Sequence, residues 1–236
     1  MNAPLEPLDY NPPLEPRLVV LHEDRDMVVI NKPSGLLSVP GRTPDLFDSV
    51  LSRVRESHPG AQAVHRLDLG TSGVLVVATR RKAEAVLRQQ FQDRLTRKVY
   101  LARLWGVMSE DSGQVDLPLI CDWPNRPRQM VCRTTGKEAL TDYLVLERDP
   151  KSTLVLLRPH TGRSHQLRVH MASLGHPILG DNLYGNARQG DALLLHASQL
   201  GLYHPFSGEW IVFHASCDFA PHVTPVALKP VEPVTS

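Results

Sequence analysis

An α+β domain built around one large mixed sheet is the fold class this sequence predicts. Short apolar runs of strand character outnumber helical stretches along the 236 residues. They do not alternate with helices in a βαβ rhythm, and several neighbours are placed for antiparallel pairing. Apolar residues make up 42% of the chain, enough to build the core of one large domain or two small ones. Most of residues 17–220 is expected to form a single unit. Residues 1–16, with five prolines, read as an extended arm, and residues 221–236, with four, as a tail.

RLVVLHED and MVVINKP are two apolar runs flanking HEDRD, which predicts a β-hairpin. KPSGLLSVPG, residues 32–41, is a Gly- and Pro-rich loop. Thr43 and Pro44 have the character of a helix start, and LFDSVLSRVRES continues as an amphipathic helix that Pro59-Gly60 ends. A strand is predicted over 74–78. Thr79 is placed to cap a helix over about 80–95, on which Ala83, Leu87, Phe91 and Leu95 recur every fourth residue as one buried stripe. KVYLARLWGVM, EALTDYLVLER and TLVLLRP read as strands, and HASQLGLYH with EWIVFHAS as a closing pair. Residues 110–137 read as irregular. Ser164 is placed to cap a helix with Leu167, Met171 and Leu174 on its apolar face, and Gly175 with Pro177 ends it.

The formal charge is nearly balanced, with 26 basic and 25 acidic residues, but its distribution is not. Basic residues concentrate in 79–103, in 121–137 and in 158–170, the last holding three Arg and three His without a carboxylate. Such local concentrations steer polyanions even when the total does not, although a solvated helix face has the same look. Three cysteines without paired CxxC spacing suit a reducing compartment and are most simply structural. The Pro-rich start lacks a basic segment followed by an apolar one, and no apolar run approaches a membrane span. A cytoplasmic location is therefore expected. Trp105 and Trp210 are expected to pack in the interior.

The chemistry concentrates in HRLDLGTSG, residues 65–73, immediately before the apolar VLVVA. A carboxylate, a guanidinium and an imidazole beside a core strand are costly unless paired or used. A metal site is disfavoured for His65, His160, His165 and His170. On a helix, His165 and His170 diverge by about 140°, and neither HExxH nor a carboxylate occurs in their run. DLGTSG matches neither a phosphate loop nor a dinucleotide pattern. Asp68 paired with a distant Arg is the more productive combination, because a guanidinium keeps a carboxylate ionised and oriented. Arg168 is a candidate partner. A plain structural salt bridge has the same sequence appearance.

Four ordered blocks carry a resemblance: NKPSGL at 31–36, HRLDLGTSG at 65–73, RKVYLARLWG at 97–106 and GRSHQLRVHMASLGHPILGD at 162–181. Together with NPPLEP, SVPGR and DLPLICDWPNRP, they make the chain, over roughly 10–220, similar to the pseudouridine synthases of the ribosomal large-subunit synthase A type. The resemblance implies the catalytic fold of that family, a large mixed and mainly antiparallel sheet with flanking helices and a central RNA-binding cleft. It implies isomerisation of uridine within RNA, with no cofactor and no metal. It implies Asp68 as the catalytic aspartate, Tyr100 against the target base and Arg168 as the ion-pair partner of Asp68. Arg66 would take the space vacated by the flipped nucleotide. His65, Lys32, Arg163, Arg126 and Arg128 complete the expected RNA-facing set, with Lys32 and Pro33 at the pocket rim. The expected partners are 23S rRNA at uridine 746 and tRNA anticodon stem-loops at uridine 32, met by a monomer without an obligate protein partner. A related synthase with another target uridine, or an RNA-binding or ribosome-associated module without catalysis, are the alternatives.

Overall fold

The computed structural model describes residues 10–187 and 191–231. Strands β1 (Val19–Glu23) and β2 (Met27–Lys32) form the expected hairpin. Its turn is closed by Asp24, whose carboxylate accepts the backbone N–H groups of Asp26 and Met27. Helix α1 (Val50–Val54) is shorter than expected and starts later. Pro44–Leu46 is a 3-10 turn, and the true N-cap is Ser49, joined to Ser52 in a reciprocal capping box. Strands β3 (Gln62–Ala63) and β4 (Ser72–Ala78) follow, then α2 (Arg81–Gln92). Thr79 does not cap α2. Its hydroxyl donates to the Arg25 carbonyl, and Arg80 takes the N-cap position. Arg94, at φ +59, turns the chain out of the helix, so Leu95 leaves the stripe.

Strand β5 (Arg97–Trp105) is followed by β6 (Ser112–Asp116), β7 (Leu119–Cys121) and β8 (Gln129–Val131). The stretch read as irregular is thus ordered: β6 edges the main sheet and β7 pairs with β8 as a separate hairpin. Strands β9 (Leu140–Asp149) and β10 (Ser152–Pro159) lead to α3 (Gln166–Ser173), and β11 (Leu195–Tyr203) pairs with β12 (Trp210–His214). Ser164 is exposed and caps nothing. His165 holds the N-cap position at φ +53, while Gly175, at φ +84, ends the helix region as expected. Leu174 is exposed rather than on a buried face.

The main sheet runs β1-β2-β4-β11-β5-β10-β9-β6. Among the described strands its one parallel pairing is β4 with β11, at the centre. Gly73 makes that approach possible. It sits at φ +106, and a Cβ there would lie 2.2 Å from the Ala197 carbonyl oxygen. Both faces are covered, which is why β2 and β4 are apolar almost throughout. Ala83 and Leu87 of α2 pack with Val74, Val76 and Leu200, whereas Val50, Leu51 and Val54 of α1 pack with Ile30, Leu75 and Val77. On the other half, Leu167 and Met171 of α3 pack on Ala102, Leu104, Val155 and Leu157. The alternate residues Val99, Leu101, Leu154 and Leu156 are covered by Cys217, Ala220, Val223, Val226 and Leu228.

The segments without helix or strand at the two ends are docked by specific bonds. Arg53, 2% exposed, donates to the carbonyls of Pro13 and Arg17, and Tyr10 donates to the Asp48 carbonyl. The side-chain amide of Gln199 brackets Val226, bonding to both its carbonyl and its N–H. Trp210 is half-buried, packs edge-on against Tyr203 and donates to the Leu228 carbonyl. Trp105, expected inside as well, is exposed, because it ends β5 where the sheet runs out. The three cysteines are free, and no helix among the described residues is long and apolar enough to cross a membrane.

Candidate active site

Asp68 lies in the loop that enters β4, between Leu67, buried with the α1 cluster, and Thr71, whose N–H returns to the Asp68 carbonyl. The loop is pinned from below. Lys32, 0% exposed, spends its ammonium on the carbonyls of Pro33, Leu36 and Leu69, and Ser38 bonds both the carbonyl and the N–H of Leu67. Lys32 is therefore not at a rim and does not face RNA. It is a buried tie between the 33–36 loop and the Asp68 loop. Burial pushes its pKa down to about 7, against the pull of the Asp68 charge.

A cavity of about 500 Å³ opens over Asp68. Tyr100 from β5, Arg168 from α3, Lys98, His65, Arg66 and Arg163 share its lining. Three of the four sequence blocks thus meet there, and NKPSGL supports it from beneath. Among the residues lining it, Asp68 carries the one carboxylate, so the cavity is strongly basic. Tyr100 alternates with Val99 and Leu101 and so stands on the α3 side of the sheet. Burial, and then the Asp68 charge, raise its phenol well above its ordinary range, which keeps it a neutral donor. Lys98, donating to the Thr161 carbonyl, is pushed down to about 8 by burial and by Arg94.

Arg168 comes to Asp68, but not as its main partner. Its Nη1 lies 3.6 Å from Asp68 Oδ2, an ion-pair distance beyond a hydrogen bond. Its Nε and Nη2 instead make a two-pronged contact of 2.7 Å each with Asp181, which is 1% exposed. Asp181 closes the last quoted block, yet no spacing rule links it to Arg168. The His165 Nε2 lies 3.9 Å from Asp68 Oδ1, and its Nδ1 is 2.7 Å from the Tyr184 hydroxyl. Tyr184, Asp181 and Lys98 are the site-forming residues that sequence reasoning missed. For His165 the sequence offers a disfavoured metal role or a plain hydrogen bond or RNA contact, not a place beside Asp68.

His65 accepts the Val76 N–H at Nε2 and stacks on Phe91 with 4.4 Å between rings. Burial drives its pKa to about 3, so it is a neutral, packed histidine at the cavity edge. Arg66 is exposed and lines both this cavity and a second, of about 690 Å³, shared with Arg42, Arg126 and Ser164. Arg126 reaches the second cavity while lying 4.3 Å over the Trp123 ring. Arg163 donates to the Glu138 carbonyl. Arg128 lines neither cavity, and its guanidinium lies over the Tyr184 ring. The remaining histidines of the metal question have protein partners: His160 meets Asp142, and His170 meets Thr141 and the Leu117 carbonyl. One metal-capable cluster, Asp24, Asp26 and His204, is found among the described residues, with Asp24 bonded to two histidines and Asp26 to Arg80.

A family model described as RNA pseudouridylate synthase matches residues 26–173. The dual-specificity RNA pseudouridine synthase RluA of Escherichia coli (strain K12) is 54% identical over 215 residues, covering 89% of this chain and 98% of that protein. The protein of the same name from Vibrio cholerae serotype O1 is 49% identical over 228 residues, covering 95% and 93%. Among solved structures, human RNA pseudouridylate synthase domain containing 1 matches with a TM-score of 0.72 at 32% identity, covering 87% of this chain and 85% of that one.

Proposed function

The chain belongs to the RNA pseudouridylate synthase family and is an RNA pseudouridine synthase; from that premise we propose that Asp68 is the reacting carboxylate and that the cavity above it receives an everted uridine. The observation that carries this is the placement of one carboxylate, 27% exposed at its side chain, on the floor of an otherwise basic cavity of about 500 Å³. That size falls within the range of about 300–1,000 Å³ usual for small-molecule sites.

The reaction breaks the bond between N1 of uracil and C1′ of ribose and joins C5 to the same C1′. The C5 proton is lost and N1 gains one, so atoms balance without an external oxidant, reductant or group donor. Asp68 serves either by attacking C1′ or by taking the C2′ proton to give a glycal-type intermediate. In both routes the base leaves its stack before chemistry begins. Arg66, exposed between the two cavities, is placed to occupy the vacated position. Tyr100 offers a flat, neutral face to the uracil, as aromatics do for unstacked RNA bases. Arg168, fixed by Asp181, holds the carboxylate in orientation. Arg163 and Arg126 are placed for the phosphates on either side.

The substrates proposed are 23S rRNA at uridine 746 and tRNA anticodon stem-loops at uridine 32. The support is the name of the relatives, which carry two specificities in one catalytic chain, and the identity of about half of all residues with them. Asp68→Asn should abolish pseudouridine formation in both RNAs while leaving folding and RNA affinity intact, read by nucleoside analysis and by binding. Near-normal turnover in that variant would refute the role of Asp68, and modification at other uridines alone would refute the targets.

A further inference from the structure

Asp68 presents two carboxylate oxygens, and each faces a different nitrogen. Arg168 Nη1 lies 3.6 Å from Oδ2, and His165 Nε2 lies 3.9 Å from Oδ1. The imidazole is itself anchored. The backbone N–H of Gln129 donates to the Tyr184 oxygen at 2.7 Å, and the proton of that hydroxyl is free to go to His165 Nδ1, also at 2.7 Å. An Nδ1 that accepts puts the proton of the neutral ring on Nε2, the nitrogen that looks at Asp68. The Tyr184 ring also lies 5.2 Å beneath the Arg168 guanidinium and edge-on to the imidazole. One tyrosine thus steadies both groups that flank the carboxylate.

The backbone reports the same constraint. His165 is one of two described non-glycine residues in the left-handed region, at φ +53. Such a conformation costs on the order of 1–2 kcal/mol and persists where surrounding contacts over-determine it. We infer that His165 is a positioning residue for Asp68, held with its proton on Nε2 by Tyr184, so that the carboxylate lies between an imidazole N–H and a guanidinium. The approach of 3.9 Å closes to a hydrogen bond in the transition state, where catalytic contacts commonly tighten. The charges facing the ring are Asp68, Arg168, Asp181 and Arg66, and Tyr184 is its hydroxyl partner. Burial pushes the imidazole pKa down, Asp68 and Asp181 pull it up, and Arg168 and Arg66 push it down again, with the net below its ordinary value. The ring is accordingly neutral near pH 7.

The inference rests on Asp68 being the reacting group, and its test separates the two. In protein labelled with 15N-histidine, long-range proton–nitrogen correlations at pH 7 should show His165 protonated at Nε2 alone. Tyr184→Phe should shift the ring toward a mixture of tautomers, and Asp68→Asn should displace the Nε2 resonance whatever it does to turnover. Single-turnover pseudouridine formation should fall about tenfold in His165→Leu with RNA affinity unchanged, the loss of one net hydrogen bond. His165→Gln, with an amide N–H within reach of the Nε2 position, should recover most of that loss. Leu and Gln meet the same backbone strain, so their difference reads the N–H alone. Equal rates in the two variants, or an Nδ1–H tautomer or imidazolium in the unmutated protein, would overturn the inference. The tautomer measurement stands even if a variant fails to fold.

Discussion

Asp181→Asn probes the support of the site with least change of shape. The Asp181 carboxylate accepts four bonds: Arg168 Nε on Oδ2, and Arg168 Nη2, Leu183 N and Tyr184 N on Oδ1. An asparagine oxygen at the Oδ1 position keeps three of them. The amide nitrogen at Oδ2 then confronts the Arg168 Nε–H, donor against donor, in a site where Arg168 is 6% exposed. Losing one charge-assisted bond costs about 1.5–3 kcal/mol, and breaking a buried pair outright about 3–5 kcal/mol. Because the partner is neutralised rather than deleted, and Asp68 still lies 3.6 Å away, about 3 kcal/mol is expected. For a chain of this length that corresponds to a fall in Tm of roughly 6–12 °C. The pH dependence gives a second reading. Burial acts to raise the Asp181 pKa, but the Arg168 bonds and charge and the Leu183 and Tyr184 N–H groups outweigh it, holding the carboxyl below its ordinary value of 3.8. A depressed carboxylate contributes stability that is present above the unfolded value and lost as pH falls through the folded one. The gap between the native protein and the variant should therefore be widest above pH 4 and narrow in acid. Urea unfolding monitored from pH 7 downward measures it. Equal midpoints at pH 7, or a gap that widens on acidification, would refute the reasoning.

Two further outcomes follow from the same contacts. Lys32→Met leaves the Pro33, Leu36 and Leu69 carbonyls without their buried donor and should cost about 2–4 kcal/mol in urea unfolding; a change below half a kcal/mol would show that the tie is dispensable. Arg66→Gln and Arg126→Gln should weaken RNA binding and each flatten the logarithmic salt dependence by about one; an unaltered slope would remove that arginine from the phosphate contacts.

Much of the architecture was legible because its signals are local. The β1–β2 hairpin shows as apolar runs around HEDRD, and the Asp24 that closes its turn lies within that motif. The α2 stripe shows through Ala83 and Leu87. By contrast, β7 and β8 are three residues each and mostly half-buried, too short to show the alternation that marks a strand. The start of α1 was misplaced because Thr43-Pro44 and Ser49 are both good starts, and a reciprocal bond with Ser52 decides between them. The start of α3 was misplaced because His165 is held left-handed by Tyr184, nineteen residues further on, which composition does not reveal.

The site was legible to a similar depth. Four blocks identified the residues that gather around Asp68, and Asp68, Tyr100, Arg168 and Arg66 do share one cavity. The internal order of the pairing was not legible. Arg168 is held first by Asp181, and only a loop that folds back thirteen residues along the chain makes that contact. Lys32 had the composition of a rim cation. It is buried because three backbone carbonyls surround it, an arrangement that exists only after the two loops meet.

The parallel seam between β4 and β11 joins stretches that leave the ribosome far apart: the Ser72 hydroxyl contacts His196, 124 residues later. A nascent chain has its first hairpin and α2 early, and Lys32 and Ser38 can already tie the loop bearing Asp68, yet the other edge of β4 stays unpaired until β11 is made, 124 residues later. With translation at about 5–20 residues per second, that interval lasts several seconds. Chains that stop short of β11 thus present an unpaired central strand edge, a target for chaperones.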